Sequence, residues 1–238
     1  MGGAASAAAT KNYQAMKPAV LISCLLLFAG TLFAQQPDSL RYLALGDSYT
    51  VGRGVAQSQS FPYQLVAKLR QKNIPVTNPV LIAQNGWRTD ELLIGINEQA
   101  HNARYNFITL LIGVNNQYQH KDTAIYRSEF KRIITKAIDL AGGNNKHVFV
   151  LSVPDWGVTP FANGRNRDKI AAEIDGYNAI NKQITQEAGA TYVAITDLTR
   201  DAGDDKAFVT TDNLHPSPKM YGWWVDRLSK AIVKTLKN

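Results

Sequence analysis

The stretch Phe107-Ile108-Thr109-Leu110-Leu111-Ile112 has apolar side chains on both faces of an extended chain, with Thr109 as the exception. A strand of this kind must be covered on both sides, which is typical of the centre of a parallel sheet. Antiparallel sheets with one face in water alternate polar and apolar residues instead. The stretch therefore predicts a buried central strand in an α/β protein.

Shorter apolar runs predict further strands, and segments of helical periodicity separate them. The runs are residues 42–45, 80–83, 148–151 and 192–195. Apolar residues three or four apart, the spacing of one helix face, occupy residues 61–69, 89–100, 130–141 and 170–184 and a segment beginning near Pro218. Strands that alternate with helices form parallel sheets covered on both faces. We predict a single-domain, three-layer α/β/α sandwich around a mainly parallel five-stranded sheet.

The N-terminal region has the pattern of a targeting segment. Lys17 precedes an uncharged, largely apolar run over residues 19–34, and the polar residues Gln35 and Gln36 follow. A positive region, a short apolar run and a small residue at the cleavage point are features of a secretory signal peptide. We predict a signal peptide over residues 1–34, with Met16 as an alternative start. One domain over residues 35–238 is then exported to the periplasm or the extracellular space, without a transmembrane span.

Cys24 is the single cysteine of the chain and offers a second interpretation of this region. The residues Leu21-Ile22-Ser23-Cys24 resemble a lipoprotein processing box, but the apolar run continues through Phe28, so cleavage there would leave most of it attached. We favour cleavage after Ala34 and keep lipid anchoring at Cys24 as the alternative. Cleavage after Ala34 leaves no cysteine, which excludes disulfides and a thiol nucleophile.

Composition and charge argue against several functional classes. With 19% charged and 45% hydrophobic residues, the chain is typical of a globular protein. The net charge of +7 is spread out, without a basic stripe interleaved with aromatics, so we expect no nucleic-acid partner. His101, His120 and His147 are not at metal-ligand spacing from other histidines, cysteine or paired carboxylates. We therefore predict neither a metal nor a cofactor.

Four polar segments lie where a site of such a fold is built. Gly46-Asp47-Ser48, Asn85-Gly86-Trp87 and Gly113-Val114-Asn115-Asn116 follow the first three predicted strands, and Asp212-Asn213-Leu214-His215-Pro216 precedes the last helix. Loops at the carboxyl ends of parallel strands form the ligand sites of open α/β sheets. A serine needs a base to become a nucleophile, and a carboxylate three residues from a histidine can reach its ring within one turn.

In this order, the four segments resemble the sequence blocks of the SGNH/GDSL hydrolases, and together they span residues 46–216. The resemblance implies a flavodoxin-like α/β fold and a serine ester hydrolase that works through an acyl-enzyme. It implies that Ser48 is the nucleophile and that Asp212 and His215 complete a catalytic triad. It also implies an oxyanion hole made by the backbone N–H groups of Ser48 and Gly86 and the side-chain amide of Asn115.

Asn116 departs from the family pattern, which usually reads Gly-x-Asn-Asp. The neighbouring Asn115 is intact, so we expect catalysis to be retained. An asparagine at position 116 loses the negative charge of the usual aspartate. A buried basic partner of that aspartate would then be left unpaired.

The resemblance does not separate the substrates that the family accepts. Connections near the predicted site are short and polar, without an apolar segment of helical period that could act as a lid. We therefore predict cleavage of short-chain O-acyl esters, on a small ester or an acylated carbohydrate or lipid. Alternatives are a deacetylase of extracellular polysaccharide, a lysophospholipase or thioesterase, and a glycan-binding module without turnover. The aromatic side chains expected either to line the cleft or to pack in the core are Tyr49, Trp87, Tyr118, Trp156 and Phe161.

Export can be tested by N-terminal sequencing of the mature protein. The sequence should begin at Gln35 or within a few residues of it, because the apolar run ends at Ala34. A mature N-terminus at Cys24 that carries lipid would show that the lipoprotein box is used instead.

Overall fold

Five parallel strands form the centre of the computed structural model, which describes residues 1–3, 39–100 and 103–236. In chain order they are β1 (Tyr42–Gly46), β2 (Val80–Ala83), β3 (Phe107–Leu111), β4 (Val148–Leu151) and β5 (Thr191–Val193). Their order across the sheet is β2-β1-β3-β4-β5, and every neighbouring pair is parallel. β3 takes the middle position, as its apolar sequence predicts. The predicted α/β fold is confirmed.

Helices cover both faces of the sheet and form the outer two layers. They are α1 (Ser48–Val51), α2 (Phe61–Gln71), α3 (Thr89–Gln99), α4 (Val114–Tyr118), α5 (Thr123–Leu140), α6 (Arg167–Glu187), α7 (Thr196–Ala202) and α8 (Pro218–Leu236). Apolar residues of α2 and α8 share one core with the sheet, those of α3 and α5 share the other, and α6 contributes to both.

Strand side chains alternate between these two cores. On β1, Tyr42 and Ala44 face the core of α2 and α8, whereas Leu43 and Leu45 face the core of α3 and α5. Every residue of β1, β3 and β4 is buried, while Val80 of the edge strand β2 is exposed. The apolar pattern of the central strands thus arises because each strand supplies both cores.

The fifth strand differs from the prediction in its position and length. The apolar run at residues 192–195 predicts a strand to Ile195, but β5 ends at Val193 and Ile195 precedes α7. The hydroxyl of Ser152 accepts the backbone N–H groups of Ile195 and Thr196 at 2.7 and 3.0 Å. This side chain satisfies two donors that a longer strand would have offered to the sheet. The short helices α1, α4 and α7 were not predicted, because four to seven residues show too little periodicity.

The N-terminal prediction falls almost entirely outside the described residues. The predicted signal peptide covers residues 1–34, of which the structure describes residues 1–3. Export and the position of cleavage therefore stay predictions. Among the helices of the described ranges, none is long and apolar enough to cross a membrane.

Parallel strand order places the predicted site segments at one edge of the sheet. β2, β1 and β3 are adjacent, so the segments that follow their carboxyl ends lie side by side. The turn before α8 reaches the same edge, where the backbone of Thr210 and His215 is joined by a 2.7 Å hydrogen bond.

Candidate active site

Ser48 is the first residue of α1 and lies directly after β1 and Asp47. The turn is tight, since a Cβ on Gly46 would lie 2.2 Å from Thr50 Oγ1 and 2.4 Å from a backbone oxygen of β3. Asp47 caps the helix by accepting the backbone N–H of Tyr49 at 3.0 Å. The strand end and the cap together hold the Ser48 side chain at the sheet edge.

His215 and Asp212 lie in the turn before α8. His215 Nε2 is 3.0 Å from Ser48 Oγ, and His215 Nδ1 is 2.6 Å from Asp212 Oδ2. Asp212 Oδ1 accepts hydrogen bonds from the Thr210 hydroxyl and the backbone N–H groups of Leu214 and His215, at 2.8, 3.0 and 2.9 Å. Ser48 and His215 are 167 positions apart in the chain. The structure therefore joins the three residues predicted as a triad in one hydrogen-bonded chain.

The surroundings favour an ionised Asp212 and a neutral His215. Burial works against ionisation of Asp212, but the hydrogen bonds from His215, Thr210 and Leu214 outweigh it and lower the pKa of this carboxyl. Burial lowers the pKa of His215 below 6.5; Asp212 opposes this change, and Arg53 adds to it. A neutral imidazole beside a serine hydroxyl is the state that can accept its proton.

Gly86 and Asn115, the residues predicted to hold an oxyanion, line the same cavity as Ser48, His215 and Asp212. Gly86 has a φ of +83°, a left-handed conformation that favours glycine. Asn115 lies in the first turn of α4 and donates one amide N–H to the carbonyl of Trp87 at 2.9 Å. This contact orients the amide and links α4 to the loop that contains Gly86.

One cavity of about 300 Å³ is lined by all the predicted site residues, Ser48, Gly86, Asn115, Asp212 and His215. A hydroxyl paired with an oriented imidazole, beside amide donors, can attack a carbonyl and stabilise the resulting oxyanion. Within the described ranges, no group of three or more His, Cys, Asp or Glu side chains is arranged to hold a metal ion. The cavity therefore contains the groups that acyl transfer requires.

The family model for the GDSL-like lipase/acylhydrolase family matches residues 44–223. The chain belongs to this family. The predicted family is therefore confirmed, and the protein is a hydrolase of the GDSL type. No curated protein sequence matches it.

Solved structures of two esterases and a lipase share the fold. The psychrotrophic esterase EstA from Pseudoalteromonas sp., inhibited by monoethylphosphonate, is 15% identical with a TM-score of 0.63, over 84% of this chain and 100% of that one. A family 3 carbohydrate esterase from Clostridium thermocellum is 19% identical with a TM-score of 0.65, over 84% and 98%. The lipase Lip_vut3 from a goat rumen metagenome is 22% identical with a TM-score of 0.63, over 81% and 97%. At these identities the likeness concerns the fold.

Asn116 of this GDSL hydrolase is buried and bound to Thr89 at the start of α3. Its Oδ1 accepts the Thr89 backbone N–H at 3.1 Å, and its Nδ2 donates to the Thr89 hydroxyl at 2.7 Å. That hydroxyl in turn donates to Glu129 Oε2 at 2.5 Å. Within the described chain, both partners of the amide are on Thr89 rather than on a basic side chain. Among the described residues, no buried basic side chain is left unpaired. Because Asn116 donates to the Thr89 hydroxyl, that hydroxyl can donate its own proton to Glu129.

Three aromatic side chains form one wall of the cavity. The rings of Tyr118 and Phe161 pack edge-on against Trp156, with centroids 5.4 and 5.9 Å away. Trp156 Nε1 donates to Gln117 Oε1 at 2.8 Å, which fixes the indole. The guanidinium of Arg165 lies 5.0–5.6 Å from all three ring centroids, within cation–π range. The wall is therefore held by a hydrogen bond and by a cation.

The remaining aromatic predictions separate into cleft and core. Tyr49 lines the cavity together with the three wall residues. Trp87 packs on α3, because a Cβ on Gly95 would lie 2.5 Å from its ring. Sequence reasoning missed Arg53, Val114 and Leu214, which also line the cavity. The available signal for Arg53 is its position between two glycines just after the serine segment.

Replacement of Asn116 by Asp tests whether Glu129 requires a hydrogen-bond donor at position 116. The aspartate cannot donate to Thr89, and one hydroxyl proton would face two carboxylates. We expect Asn116→Asp to lower the free energy of unfolding at pH 7 by about 1–3 kcal/mol, the cost of an unsatisfied buried polar group.

The matched control is the double variant Asn116→Asp/Glu129→Gln, in which the new amide can donate to the Thr89 hydroxyl. Urea unfolding should show that it recovers much of the loss, as a favourable coupling energy. Strict additivity of the two substitutions would contradict this account of Asn116.

Proposed function

We propose that this hydrolase cleaves O-acyl esters of carboxylic acids through an acyl-enzyme on Ser48. The observation that carries the proposal is the continuous chain from Ser48 Oγ through the His215 ring to Asp212, at 3.0 and 2.6 Å. This chain opens into a cavity that also contains amide donors. Family membership supports hydrolysis, and Ser48 and His215 supply the nucleophile and the base for it.

In the first half-reaction, His215 Nε2 takes the proton of Ser48 while Oγ attacks the ester carbonyl carbon. Asp212 keeps the ring in the tautomer with a free Nε2 and stabilises the imidazolium. The carbonyl oxygen becomes an oxyanion. Its donors are the backbone N–H groups of Ser48 and Gly86 and the remaining amide hydrogen of Asn115. The N–H of Ser48 is available because it lies in the first turn of α1, where N–H groups have no intrahelical acceptor.

Collapse of this intermediate breaks the bond to the alcohol. His215 returns its proton from Nε2 to the departing alkoxide, and the acyl group stays on Ser48 Oγ. A water molecule then repeats the sequence, with His215 as its base, and the acid product leaves. Each half-reaction returns His215 to the neutral state, so no redox partner or cofactor enters the balance.

The size of the cavity supports a short acyl group. A volume of about 300 Å³ is at the lower end of small-molecule sites, and the wall of Tyr118, Trp156 and Phe161 limits it. The second candidate function is removal of acetyl groups from carbohydrate, which the half-exposed ring of Tyr118 beside the cavity favours as a surface for a sugar. We further propose that the enzyme is exported, on the strength of its N-terminal sequence.

The central experiment is replacement of the nucleophile. We expect Ser48→Ala to lower turnover of p-nitrophenyl acetate by at least about 10⁴-fold, because triad members act as a unit, and to abolish labelling by a fluorophosphonate. The exposed Ser58 is the matched control, and Ser58→Ala should retain both. A folded Ser48→Ala variant with near-normal turnover would falsify the assignment.

The lowered pKa of His215 predicts the shape of the pH profile. Protonation removes the base, so kcat/KM on a neutral ester should fall on the acid side with an apparent pKa below 6.5. Arg53→Gln should move this limb to higher pH, because the guanidinium contributes to the lowering.

The control for net charge is Lys72→Gln, at the end of α2 and thus at the opposite edge of the sheet. It should leave the limb in place. An acid limb above 6.5 in the unmodified enzyme would contradict the environment assigned to His215.

The aromatic wall predicts the acyl-length profile on p-nitrophenyl esters from acetate to palmitate. A buried CH₂ adds ~0.8 kcal/mol only where a pocket continues, so kcat/KM should stop rising before octanoate. Trp156→Ala should extend the accepted length, whereas Trp223→Ala, which alters a half-exposed ring packed on Phe208, should not. A steady rise beyond octanoate in the unmodified enzyme would reveal an acyl tunnel.

A further inference from the structure

Arg53 lies beside Asp212 and His215, in a segment whose backbone is closely packed. The flanking residues Gly52 and Gly54 have φ values of +83° and +87°. A Cβ on Gly52 would lie 2.4 Å from Ser60 Cβ, and one on Gly54 would lie 2.8 Å from Thr210 Oγ1. The backbone on both sides of Arg53 is therefore packed closely against neighbouring segments. This packing places the arginine on the wall of the cavity that contains Ser48.

The guanidinium of Arg53 has unused donor capacity. Its nearest carboxylate contact is Asp212 Oδ2, at 4.0 Å from Nε, and its side chain is 56% exposed. Among the described residues, no hydrogen bond from this side chain is formed. By contrast, Arg200 and Arg227 bind carboxylates at 2.9 and 2.5 Å. The five N–H donors of Arg53 thus have no hydrogen-bond acceptor among the described residues, and the side chain lines the cavity and is partly exposed to solvent.

Asp212 is held by other hydrogen bonds, although it forms an ion pair with Arg53 at 4.0 Å. Its Oδ1 already accepts three hydrogen bonds, and its Oδ2 accepts the one from the His215 ring. Arg53 also repels the imidazolium that forms on His215 during catalysis, and this repulsion opposes the reaction. An anion bound to the guanidinium would offset that repulsion during turnover.

In a bound ester, we expect the leaving alcohol to lie on the side of the cavity that contains Arg53. Its oxygen must approach His215 Nε2 to receive the proton, so its substituents lie among the residues around His215. Of the residues that line the cavity, Arg53 carries a permanent positive charge. Guanidinium groups bind carboxylate and phosphate through paired N–H donors.

We propose that Arg53 is a specificity-determining residue that binds a carboxylate or phosphate on the alcohol half of the ester. The substrate class is then the O-acyl ester of an acidic alcohol, such as an acylated hydroxy acid, acidic sugar or phosphorylated polyol. This inference rests on the proposed ester hydrolysis at Ser48 and specifies its substrate.

The test compares matched acetate esters by acid release at pH 8.5, where His215 is neutral. The carboxylate pair is O-acetylglycolate and its neutral amide, and the phosphate pair is 2-acetoxyethyl phosphate and 2-methoxyethyl acetate. For at least one pair we expect kcat/KM to be roughly 10- to 100-fold higher for the anion, as for a hydrogen bond to a charged group. The pair that shows the preference identifies the group.

Variants separate this contact from the overall charge of the enzyme. Arg53→Gln should reduce the anion-to-neutral ratio to about 1, and Arg53→Lys should keep part of it, because lysine retains the charge without the paired donors. Lys72→Gln changes the net charge equally and should leave the ratio unchanged. The ratio should also decline as salt is raised, since the group is partly exposed.

Failures of the two proposals differ. If neither the anionic nor the neutral esters are hydrolysed, ester hydrolysis at Ser48 is wrong. If neutral esters are hydrolysed but neither anion is preferred, or the preference survives in Arg53→Gln, the role of Arg53 is wrong and ester hydrolysis stands. Preference for monoethyl succinate over its neutral amide, without preference on the alcohol half, would place the charge on the acyl group and overturn the inference.

Discussion

The hydrogen bond between Ser48 Oγ and His215 Nε2 is the contact that the rest of the site depends on, because it joins two segments from opposite ends of the domain. One segment leaves β1 and the other enters α8. The Tyr221 hydroxyl of α8 donates to the carbonyl of Tyr49 at 3.0 Å, and the ring of Trp224 packs against Tyr49 and Phe61. The apolar contacts of α1, α2 and α8 therefore fix the distance between nucleophile and base.

The helix α4 fixes the opposite side of the cavity through consecutive side chains. Asn115 binds the loop after β2, Asn116 binds α3 through Thr89, and Gln117 binds both Trp156 and Glu173 of α6. In each contact, a polar side chain of α4 forms a hydrogen bond with another segment of the fold. A five-residue helix has little stability of its own, so these tertiary bonds determine where the Asn115 amide points.

The pKa values of two carboxyl groups near Ser48, those of Asp47 and Asp212, are shifted in opposite directions by their surroundings. Burial raises the pKa of Asp47 to about 7, and among the described residues its Oδ2 has no hydrogen-bond partner. Its contribution to stability is present below the unfolded pKa and is lost as the pH rises towards 7. Asp212, whose hydrogen bonds lower its pKa, contributes stability at neutral pH that is lost in acid. The site thus keeps the charge next to His215 and disfavours a second one beside the nucleophile.

The sequence by itself determined the fold class, the family and the residues around which the cavity is built. Apolar strands such as residues 107–112 reveal double-sided burial, because hydrophobicity is a local property of each residue. The blocks containing Ser48, Gly86, Asn115 and His215 are short and contiguous, so they can be recognised without coordinates. Tertiary structure alone decided what depends on distant partners. The Ser152 hydroxyl binds the backbone where β5 ends. Thr89 and Glu129 form the hydrogen bonds that an asparagine at position 116 completes. The packing around Gly52 and Gly54 places Arg53 at the cavity. These partners are remote in sequence, and no local pattern of residues encodes the distance between them.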